Sequence, residues 1–390
     1  MARGSILKRN RNNVVSYLVR VEYDPDPVTG KRRQRSESFR LRKDADKRLS
    51  AWLSEIDRGT AIEPTKMTVA VLLNAWLDDI ATHAVRPSTL TGYRYQVEKH
   101  IIPELGSILV QKLTAARVQA FYSAKLKAGA SPRMVQLCHL RLNQALNQAV
   151  KWSIVPGNVC AAVDPPSVTY KQSSTWNSEQ LRAFLATAKD DTYHPLWLLL
   201  ATTGMRRGEA LGLRWRDLDL DQGLSAVQQS VIAHKGAPLI QAPKTAGSRR
   251  SIKLLPEATK ALKEFRGEWA ATKLAAPPDL WEDTDLIFCT ALGRPINPNN
   301  ITRNYERILV SLNVERKANN LPPVPRIRVH DLRHTHATLL LRAGTAVKVV
   351  SERLGHAKVS ITLDTYAHVL PDMQDRAVEA FSAMLKDGAS

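Results

Sequence analysis

The segment 326–366 constrains this chain more than any other stretch, because helix signals and reactive side chains alternate along it. Its first part, HDLRHTHATLLLRAG, predicts a helix that Gly344 ends, as a glycine just past a helix end does. His330 and Arg333 stand three residues apart at the start of this helix, so both side chains can point to the same side.

The second part of the segment adds another imidazole and a phenol. A helical stretch over 346–354 stops at Gly355, His356 follows at once, and Tyr366 comes ten residues after that histidine. Two imidazoles, a guanidinium and a phenol are a poor set of metal ligands. They suit a phosphodiester, whose oxygens accept hydrogen bonds from guanidinium and imidazole groups.

A metal site is the alternative for this segment, because His330 and His334 are four residues apart on the predicted helix. Arg333 between them would repel a cation, and Asp331 is the only acidic residue near enough to complete a ligand set. We therefore expect no metal ion, and we assign His334 and His336 to packing or to support of the other side chains.

The net charge of +19 at pH 7 over 390 residues predicts a polyanionic partner, since each phosphate that a basic side chain neutralises releases counterions. An anionic membrane surface is the competing partner, but no apolar run could span a bilayer and the first residues lack the apolar core of a signal peptide. The three cysteines are odd in number and far apart, so no disulfide framework or zinc site is expected. These features predict a cytoplasmic protein of two or three domains that binds nucleic acid and no membrane.

Residues 1–60 predict a small sheet with one helix. Alternating residues over 15–23 and a basic stretch over 32–39 are typical of strands, and the turn-forming sequence DPDPVTG separates them. From Leu41 the apolar residues recur with helical spacing. The second strand carries three arginines: Arg32, Arg33 and Arg35. Arginines on a strand suit a β-ribbon in a DNA groove, and a solvated basic face on a structural module is the alternative.

Residues 67–163 predict a domain of four or five helices. Thr68 is placed as an N-cap, and Ser131 before a proline has the pattern of a cap and a first helical residue. Further helices are predicted over 88–100 and 115–127. Five side chains are candidates for phosphate contacts, and each could equally be surface charge: Arg94, Lys99, Arg133, His139 and Arg141.

Residues 164–175 are typical of a linker, because two prolines exclude a helix and the polar residues after them have no period. Asn177 and Gln180 form a capping-box pattern, so a last domain is expected over 176–390. Its final residues, from Pro371 onward, predict an amphipathic helix.

The motif HDLRHTHAT, then LGH, then a tyrosine ten residues after that second motif's histidine, closely resembles the tyrosine recombinases, specifically the phage-type integrases. The resemblance covers essentially the whole chain. It implies an arm-type DNA-binding domain over 1–60, a helical core-binding domain over 67–163 and a catalytic domain over 176–390. The expected fold class is mainly α with small β-sheets (α+β): a three-stranded sheet with one helix, an all-helical domain, and a mixed α/β catalytic domain.

A second motif of the family is matched by TTGMRRGEAL, which follows the apolar stretch HPLWLLLA. The arginine two residues after the motif glycine is Arg206, so the resemblance makes Arg206 catalytic. Arg207 is expected at the surface or on the DNA backbone. Glu209 is expected to anchor the local structure by accepting hydrogen bonds.

The family's hairpin lysine is matched by Lys244 in KTAGSRR. The stretches 224–233 and 238–245 are strand-like, and a turn at 246–248 leads into RRSIKLL. A lysine beside a turn is ordinarily just solvated, so the role of Lys244 depends on the motif around it. Lys235, at the other turn, fits the pattern less well.

The chemistry of strand cleavage explains this set of residues. Attack on a phosphodiester adds negative charge to its oxygens, and the guanidinia of Arg206 and Arg333 stabilise that charge with paired hydrogen bonds. Tyr366, with an ordinary pKa of about 10, needs help to lose its proton as it attacks. His330 is expected to be the base, or to orient the phosphate.

The remaining positions serve the leaving group and the phosphate. The 5′ oxygen leaves poorly unless it is protonated, and Lys244 is the expected acid. His356 can donate another hydrogen bond to the phosphate. The six expected catalytic residues are Arg206, Lys244, His330, Arg333, His356 and Tyr366. Nothing in this chemistry calls for a metal or another cofactor.

The sequence therefore predicts a site-specific recombinase of a phage or mobile element, which cuts each strand through a 3′-phosphotyrosyl intermediate and needs no ATP. The resemblance implies that the partner is double-stranded DNA with core-type and arm-type sites. It also implies a homo-oligomer on DNA, which is expected to be a tetramer. The C-terminal helix would either dock on a neighbouring protomer or pack on its own domain. The resemblance also implies a DNA-bending host factor and a directionality factor. A type IB topoisomerase, a non-catalytic DNA-binding regulator and a metal nuclease are the alternatives.

Overall fold

The computed structural model describes residues 4–11, 14–23, 33–57, 62–169, 174–234, 236–242, 249–367, 378 and 381–382. These residues are mostly helical with small antiparallel sheets, which confirms the expected fold class. The chain divides into two compact units, Met1–Tyr170 and Lys171–Ser390. Within the described ranges, no helix combines the length and apolar character needed to cross a membrane.

The first unit opens with a three-stranded antiparallel sheet in the order β1-β2-β3. Its elements are β1 (Gly4–Arg11), β2 (Val14–Tyr23), β3 (Arg33–Phe39) and the helix α1 (Arg42–Asp57). Trp52 of α1 packs on the sheet against Val19 and Val21, and none of the three is more than 1% exposed. The strands expected over 15–23 and 32–39 correspond to β2 and β3, and β1 pairs with β2 along its whole length.

The rest of the first unit is helical. Its helices are α2 (Val69–Ala75), α3 (Thr82–Ala84), α4 (Pro87–Gln96), α5 (Ile102–Leu105), α6 (Ala115–Lys127) and α7 (Pro132–Lys151). π-Helical turns over Trp76–Ala81 and Val97–Ile101 join α2 to α3 and α4 to α5. The hydroxyls of Thr68, Thr114 and Ser131 cap α2, α6 and α7, as the sequence predicts for Thr68 and Ser131.

Helix α7 provides much of the core of this part, because one of its faces is apolar along its length. Its buried hydrophobic residues are Val135, Cys138, Leu142, Ala145, Leu146 and Ala149. They belong to one cluster with residues of the other helices, and α7 packs directly against α2, α4 and α6.

The second unit consists of helices with two small sheets. Its first elements are α8 (Ser178–Thr187), α9 (His194–Thr203), α10 (Arg207–Leu211), β4 (Leu218–Asp219), β5 (Leu224–Val227), β6 (Ser230–His234), β7 (Ala237–Gln241) and β8 (Arg250–Lys253). They are followed by α11 (Pro256–Ala275), α12 (Pro298–Ala318), α13 (Asp331–Arg342), α14 (Val347–Leu354) and α15 (Val359–Tyr366). The predicted capping box is present at α8, where Asn177 and Gln180 exchange side chain–backbone hydrogen bonds of 2.8 and 3.0 Å.

The strand expected over 224–233 is wrong as a single element. It is two strands in different sheets, since β5 lies between β4 and β8 whereas β6 pairs with β7. The break falls at Gln229, whose side-chain amide donates to the carbonyl of Gly212 at 3.0 Å. A Cβ on Gly212 would lie 2.9 Å from the Cα of Ser230, so the chain closes tightly on the end of α10 and leaves the first sheet.

Helix α9 lies in the core of the second unit, because it is apolar on all sides. It packs against α10, α11 and α13, and it contributes Leu196, Trp197, Leu199 and Leu200 to the largest buried cluster. Its C-terminal end is therefore held firmly where the arginine motif begins. The helix expected from Pro371 onward lies outside the described residues except for 378 and 381–382, so it stays a prediction.

Candidate active site

The turn between α9 and α10 carries Gly204 and Arg206. Gly204 adopts a left-handed conformation with φ of 68°. A Cβ at this position would lie 2.7 Å from a methyl carbon of Leu354 and 2.8 Å from a ring carbon of His336. Glycine is thus required both by the backbone angle and by the close approach of α13 and α14.

Arg206 is fixed to the first turn of α10 by Glu209. Its backbone N–H donates to one carboxylate oxygen at 2.9 Å, and its Nη1 donates to the other at 2.6 Å. The side chain of Arg206 nevertheless keeps 41% of its surface exposed, whereas Glu209 keeps 7%. The guanidinium is held in place and remains accessible to a ligand.

Glu209 also pairs with Arg250, a residue for which the sequence predicted no role. Nη2 of Arg250 lies 2.9 Å from the Glu209 carboxylate, and each side chain is 7% exposed. Nε of Arg250 donates to the carbonyl of Arg353 at 2.7 Å, which ties β8 to the end of α14. Burial raises the pKa of Glu209, but the guanidinia of Arg250 and Arg206 outweigh it, so the pKa is lowered and the carboxylate stays charged.

Arg333, in the first turn of α13, is 3% exposed. Its Nη1 donates to the carbonyl of Gly204 and its Nη2 to the carbonyl of Leu354, both at 2.7 Å. Burial, followed by the nearby charge of Arg206, lowers the pKa of Arg333 to about 9, which leaves it protonated at neutral pH. α9, α13 and α14 thus fix the second guanidinium.

His330 is the N-cap residue of α13. The next residue, Asp331, anchors this helix start by accepting three hydrogen bonds of 2.8–3.0 Å from Arg328. His330 keeps exposed surface, yet desolvation of its ring lowers its pKa to about 4. The charges of Arg333 and Arg206, and that of His334 when it is protonated, act in the same direction, so the imidazole is neutral at pH 7.

His356 follows the helix α14 at Gly355, whose left-handed φ of 68° ends that helix as predicted. Nδ1 of His356 lies 2.8 Å from the hydroxyl of Thr362 in α15. Burial, followed by the charges of Arg333 and Arg206, lowers the pKa of His356 to about 4. This imidazole is oriented by its hydroxyl partner and is also neutral at pH 7.

Tyr366 is the last residue of α15 and is 2% exposed. Its ring lies in a small cluster with apolar side chains of α13 and α14: Ala337, Leu341, Val350 and Leu354. Its hydroxyl lies 2.8 Å from Nδ1 of His334. Burial raises the pKa of Tyr366 to about 12, against the opposing effect of the Arg333 charge.

The second unit thus brings together five of the six residues expected to be catalytic: Arg206, His330, Arg333, His356 and Tyr366. Lys244 and the less favoured Lys235 lie outside the described residues. In the part of the chain that the structure describes, no group of three or more histidines, cysteines or acidic residues is placed to hold a metal ion.

Arg353 is a residue of this site for which the sequence predicted no role, and it contacts His336. Arg353 donates from Nε to Nε2 of His336 at 3.1 Å and from Nη2 to the carbonyl of Thr202 at 2.9 Å. His336 is 7% exposed, and burial with the Arg353 charge lowers its pKa to about 3. His336 therefore supports the turn before Arg206, in line with the supporting role expected for it.

The side chains expected to contact DNA differ in the contacts that they make within the protein. Arg35 stacks on Trp52, 4.5 Å from the ring centroid, and pairs with Glu55 at 3.6 Å. Arg94 pairs with Asp78 at 2.6 Å, and Lys99 is exposed. Arg32 and the side chain of Arg33 lie outside the described residues.

The other candidates make contacts within their own unit. Arg141 is 7% exposed and stacks on Tyr93 at 3.7 Å from the ring centroid, which favours a structural role. His139 lies 2.8 Å from the Tyr122 hydroxyl, and Arg133 donates to Gln136 at 2.5 Å. Arg207 donates to the hydroxyl of Thr302, and its side chain is partly buried.

Comparison with protein families decides the identity of this fold. A model of the phage integrase family matches residues 175–373, about half of the chain, and a model of the phage integrase N-terminal SAM-like domain matches residues 68–126. The chain belongs to the phage integrase family. It is a tyrosine recombinase, an enzyme of site-specific DNA recombination, as the resemblance in the sequence predicts.

Two curated relatives of this integrase extend over most of the chain. One is a XerC-like tyrosine recombinase of Caldanaerobacter subterraneus, 27% identical over 361 residues, which are 88% of this chain and 90% of the relative. The other is the ICEBs1 integrase of Bacillus subtilis, 24% identical over 371 residues, 95% of this chain and 97% of the relative.

Solved structures share the fold of this integrase. The Tn1549 transposon integrase in complex with a circular intermediate DNA matches with a TM-score of 0.67 at 20% identity, over 81% of this chain and 100% of the other. A lambda integrase tetramer bound to a Holliday junction matches with a TM-score of 0.54 at 17% identity, over 91% and 94%.

Proposed function

We propose that this integrase cuts and rejoins each DNA strand through a covalent bond between Tyr366 and the 3′ phosphate. The observation that supports this most directly is the position of the Tyr366 ring, because it shares one small cluster with α13, which carries Arg333, and with α14, which precedes His356. A core tyrosine with no chemical role would have no need of a histidine 2.8 Å from its hydroxyl and a buried arginine nearby.

The phosphate is held between Arg206 and Arg333. Both guanidinia are fixed by protein acceptors, Glu209 in one case and two backbone carbonyls in the other. Such groups stabilise the charge that develops on the phosphate oxygens without first having to reorganise. His330 and His356 lie in the same electrostatic neighbourhood and donate hydrogen bonds to the phosphate from neutral rings.

Lys244 supplies the proton to the departing 5′ oxygen. Its assignment depends on the motif KTAGSRR and on the chemistry of the leaving group. The strand that follows it, β8, is anchored beside the arginines by Arg250, so a lysine six residues upstream can reach the same phosphate when DNA is bound.

The DNA partner carries two kinds of site. Residues 67–163 and 176–390 bind the core-type site, with Arg94, Lys99 and Arg207 as backbone contacts, whereas the buried Arg141 supports the fold of its own unit. Residues 1–60 bind the arm-type site.

Relatives of this fold have been seen as a dimer on a core site and as a tetramer on a Holliday junction, and we propose a tetramer on DNA here. A DNA-bending host factor and a directionality factor complete the assembly, which acts in the cytoplasm of a bacterial host on its chromosome.

Nicked duplexes that carry candidate attachment sites test the reaction, because loss of the short strand past the nick traps a covalent protein–DNA adduct. The wild-type protein is expected to form the adduct in the presence of a metal chelator. Tyr366→Phe is expected to bind the same DNA and to form none, because only the nucleophilic oxygen is lost. An adduct with Tyr366→Phe, or cleavage that the chelator abolishes, would contradict this function.

A second substrate distinguishes an integrase from a type IB topoisomerase. A type IB topoisomerase relaxes supercoiled plasmids whatever their sequence, whereas an integrase is expected to act on plasmids that carry its sites. Relaxation at equal rates with and without a site would favour the topoisomerase.

A further inference from the structure

The hydroxyl of Tyr366 lies 2.8 Å from Nδ1 of His334, and the two rings have centroids 5.7 Å apart. We propose that His334 is a further catalytic residue, which holds the Tyr366 hydroxyl and takes up its proton when the tyrosine attacks the phosphate. This inference rests on the proposed reaction of Tyr366. It assigns to His334 the base role for which His330 is the expectation from the sequence.

The packing of the tyrosine ring directs its hydroxyl at this imidazole. Ala337 and Leu341 on α13 and Val350 and Leu354 on α14 surround the ring, and Tyr366 is 2% exposed. A phenol has one proton to donate, and a neutral imidazole has one acceptor nitrogen. With Nδ1 as that acceptor, the ring N–H of His334 is at Nε2, which leaves Nδ1 ready to accept the proton of the hydroxyl.

The position of His330 suits contact with the phosphate rather than with the tyrosine. His330 stands one turn earlier on α13, edge-on to His334 with ring centroids 5.4 Å apart, and it shares its electrostatic surroundings with Arg206 and Arg333. It also keeps exposed surface at the helix start, where a phosphate bound by the arginines can reach it. The two imidazoles therefore have different roles: His330 binds the phosphate, and His334 holds the nucleophile.

The step balances in protons and bonds. Oη of Tyr366 attacks phosphorus, the bond between Oη and phosphorus forms, and the bond between phosphorus and the 5′ oxygen breaks. The tyrosine proton passes to Nδ1 of His334, and the 5′ oxygen takes its proton from the acid, Lys244. In the rejoining step the 5′ hydroxyl attacks, and the departing tyrosine oxygen takes the proton back from His334.

The charges that face His334 keep it in the form that a base needs. Burial is the largest cause that lowers its pKa, the charges of Arg333 and Arg328 add to it, and that of Asp331 opposes them. His330 and His356 face the same region and carry no charge at pH 7. An imidazole that is neutral at pH 7 can accept a proton, whereas the Tyr366 hydroxyl, with a pKa raised to about 12, does not lose its proton to water readily.

The test measures the rate of adduct formation by the full-length protein on a nicked site between pH 5.5 and 9. The scissile phosphate carries sulfur in place of the bridging 5′ oxygen, so that the leaving group needs no acid and the rate reports attack by Tyr366. The wild-type rate is expected to level off above pH 6.5, once His334 is neutral. His334→Asn places an amide oxygen near the position of Nδ1 but cannot take up a proton.

His334→Asn is expected to be slower by about 10²–10³ at pH 7, in the range of general base catalysis. Its rate should rise about tenfold per pH unit up to pH 9, because hydroxide must now ionise the tyrosine. His334→Ala should behave in the same way and should recover part of its rate with added imidazole. His330→Asn is the matched comparison, one turn away on the same helix, and should be slower while it keeps the level wild-type profile.

Several outcomes would overturn the assignment. These are a slow His334→Asn with an unchanged pH profile, a His334→Ala faster than wild type, or a dependence on hydroxide that appears in His330→Asn instead. DNA binding and thermal unfolding show whether each variant folds. Should neither His334 variant fold, the wild-type profile decides, since a rate that climbs steadily to pH 9 excludes any imidazole base. Absence of an adduct with the wild type would instead defeat the proposed function itself.

Discussion

The guanidinium of Arg333 donates a hydrogen bond of 2.7 Å to the carbonyl oxygen of Gly204, a residue 129 positions earlier in the chain. Gly204 stands two residues before Arg206, so this bond ties the turn of Arg206 to the side chain of Arg333, the two arginines proposed to hold the phosphate. A second bond of 2.7 Å from Arg333 to Leu354 ties in the helix that precedes His356. The groups proposed to bind the phosphate are thus set relative to one another by the protein itself, as electrostatic catalysis requires.

The ion pair of Glu209 and Arg250 is expected to be the most sensitive of these supports. Arg250→Met leaves the buried Glu209 carboxylate with Arg206 alone and should lower the free energy of unfolding by about 3 kcal/mol, as breaking a buried pair does. It should also slow cleavage by about 10²-fold, because Arg206 loses its fixed position. Urea unfolding and adduct formation measure the two effects.

Two controls distinguish the effect of breaking the buried ion pair from the effect of removing a charged side chain in general. The exposed pair of Lys263 and Asp221, with side chains 52% and 90% exposed, should contribute little, so Lys263→Ala should change stability by less than about 1 kcal/mol. Adding Glu209→Gln to Arg250→Met removes the stranded charge and should restore part of the stability. A double variant no more stable than Arg250→Met would show that the charge is not the cause.

The buried histidine His336 is expected to make stability depend on pH. Its folded pKa of about 3 lies below the ordinary value of 6.5, so the unfolded chain takes up a proton first as the pH falls. The contribution of neutral His336 to the free energy of unfolding is complete above pH 6.5. It is lost as the pH falls from 6.5 towards 3, by about 1.4 kcal/mol per pH unit at most. His336→Gln should flatten the dependence of the urea midpoint on pH between 6.5 and 4.5. The exposed His83, changed to Gln, controls for the substitution, and equal slopes in wild type and His336→Gln would contradict the expectation.

The sequence predicted most of the site because its residues lie in short motifs at helix ends. The capping patterns of Thr68, Ser131 and Asn177 and the glycines that end α13 and α14 are local signals, and each was found where it was expected. Fold class and family followed from the same motifs.

The contacts that the sequence did not reveal join residues far apart in the chain. Arg250 reaches Glu209 across 41 residues and the carbonyl of Arg353 across 103. A basic residue that opens the strand RSIK was the available signal, but it does not name the partner. The break between β5 and β6 was missed for a similar reason, since it depends on the close approach of Gly212 to Ser230.

The arginines of the second predicted strand are expected to bind the arm-type site through phosphates. Arg32→Ala with Arg33→Ala should lower the slope of log affinity against log salt by about 0.9 for each phosphate that is no longer neutralised. Arg42→Ala with Lys43→Ala removes two exposed charges from α1 and should change the slope less. Binding of arm-site DNA by the full-length variants, measured from 50 to 300 mM salt, distinguishes the two pairs. Equal slopes would favour a solvated basic face.

Lys244 is expected to protonate the departing 5′ oxygen, and a change in the leaving group can isolate that role. Lys244→Ala should slow cleavage of ordinary DNA by about 10²–10⁴, the usual scale of general acid catalysis. Sulfur in place of the bridging 5′ oxygen makes a leaving group that needs no proton. On that substrate Lys244→Ala should approach the wild-type rate of adduct formation.

Arg206→Ala provides the contrast that makes the sulfur experiment decisive. Its guanidinium is proposed to stabilise charge on the phosphate oxygens, and that charge develops whichever atom leaves, so sulfur should not restore the rate of this variant. A variant that merely misplaces the hairpin would behave like Arg206→Ala. If sulfur rescues neither variant, Lys244 is not the acid, and Lys235 or His330 becomes the residue to change next, because the 5′ oxygen of ordinary DNA still needs a proton donor.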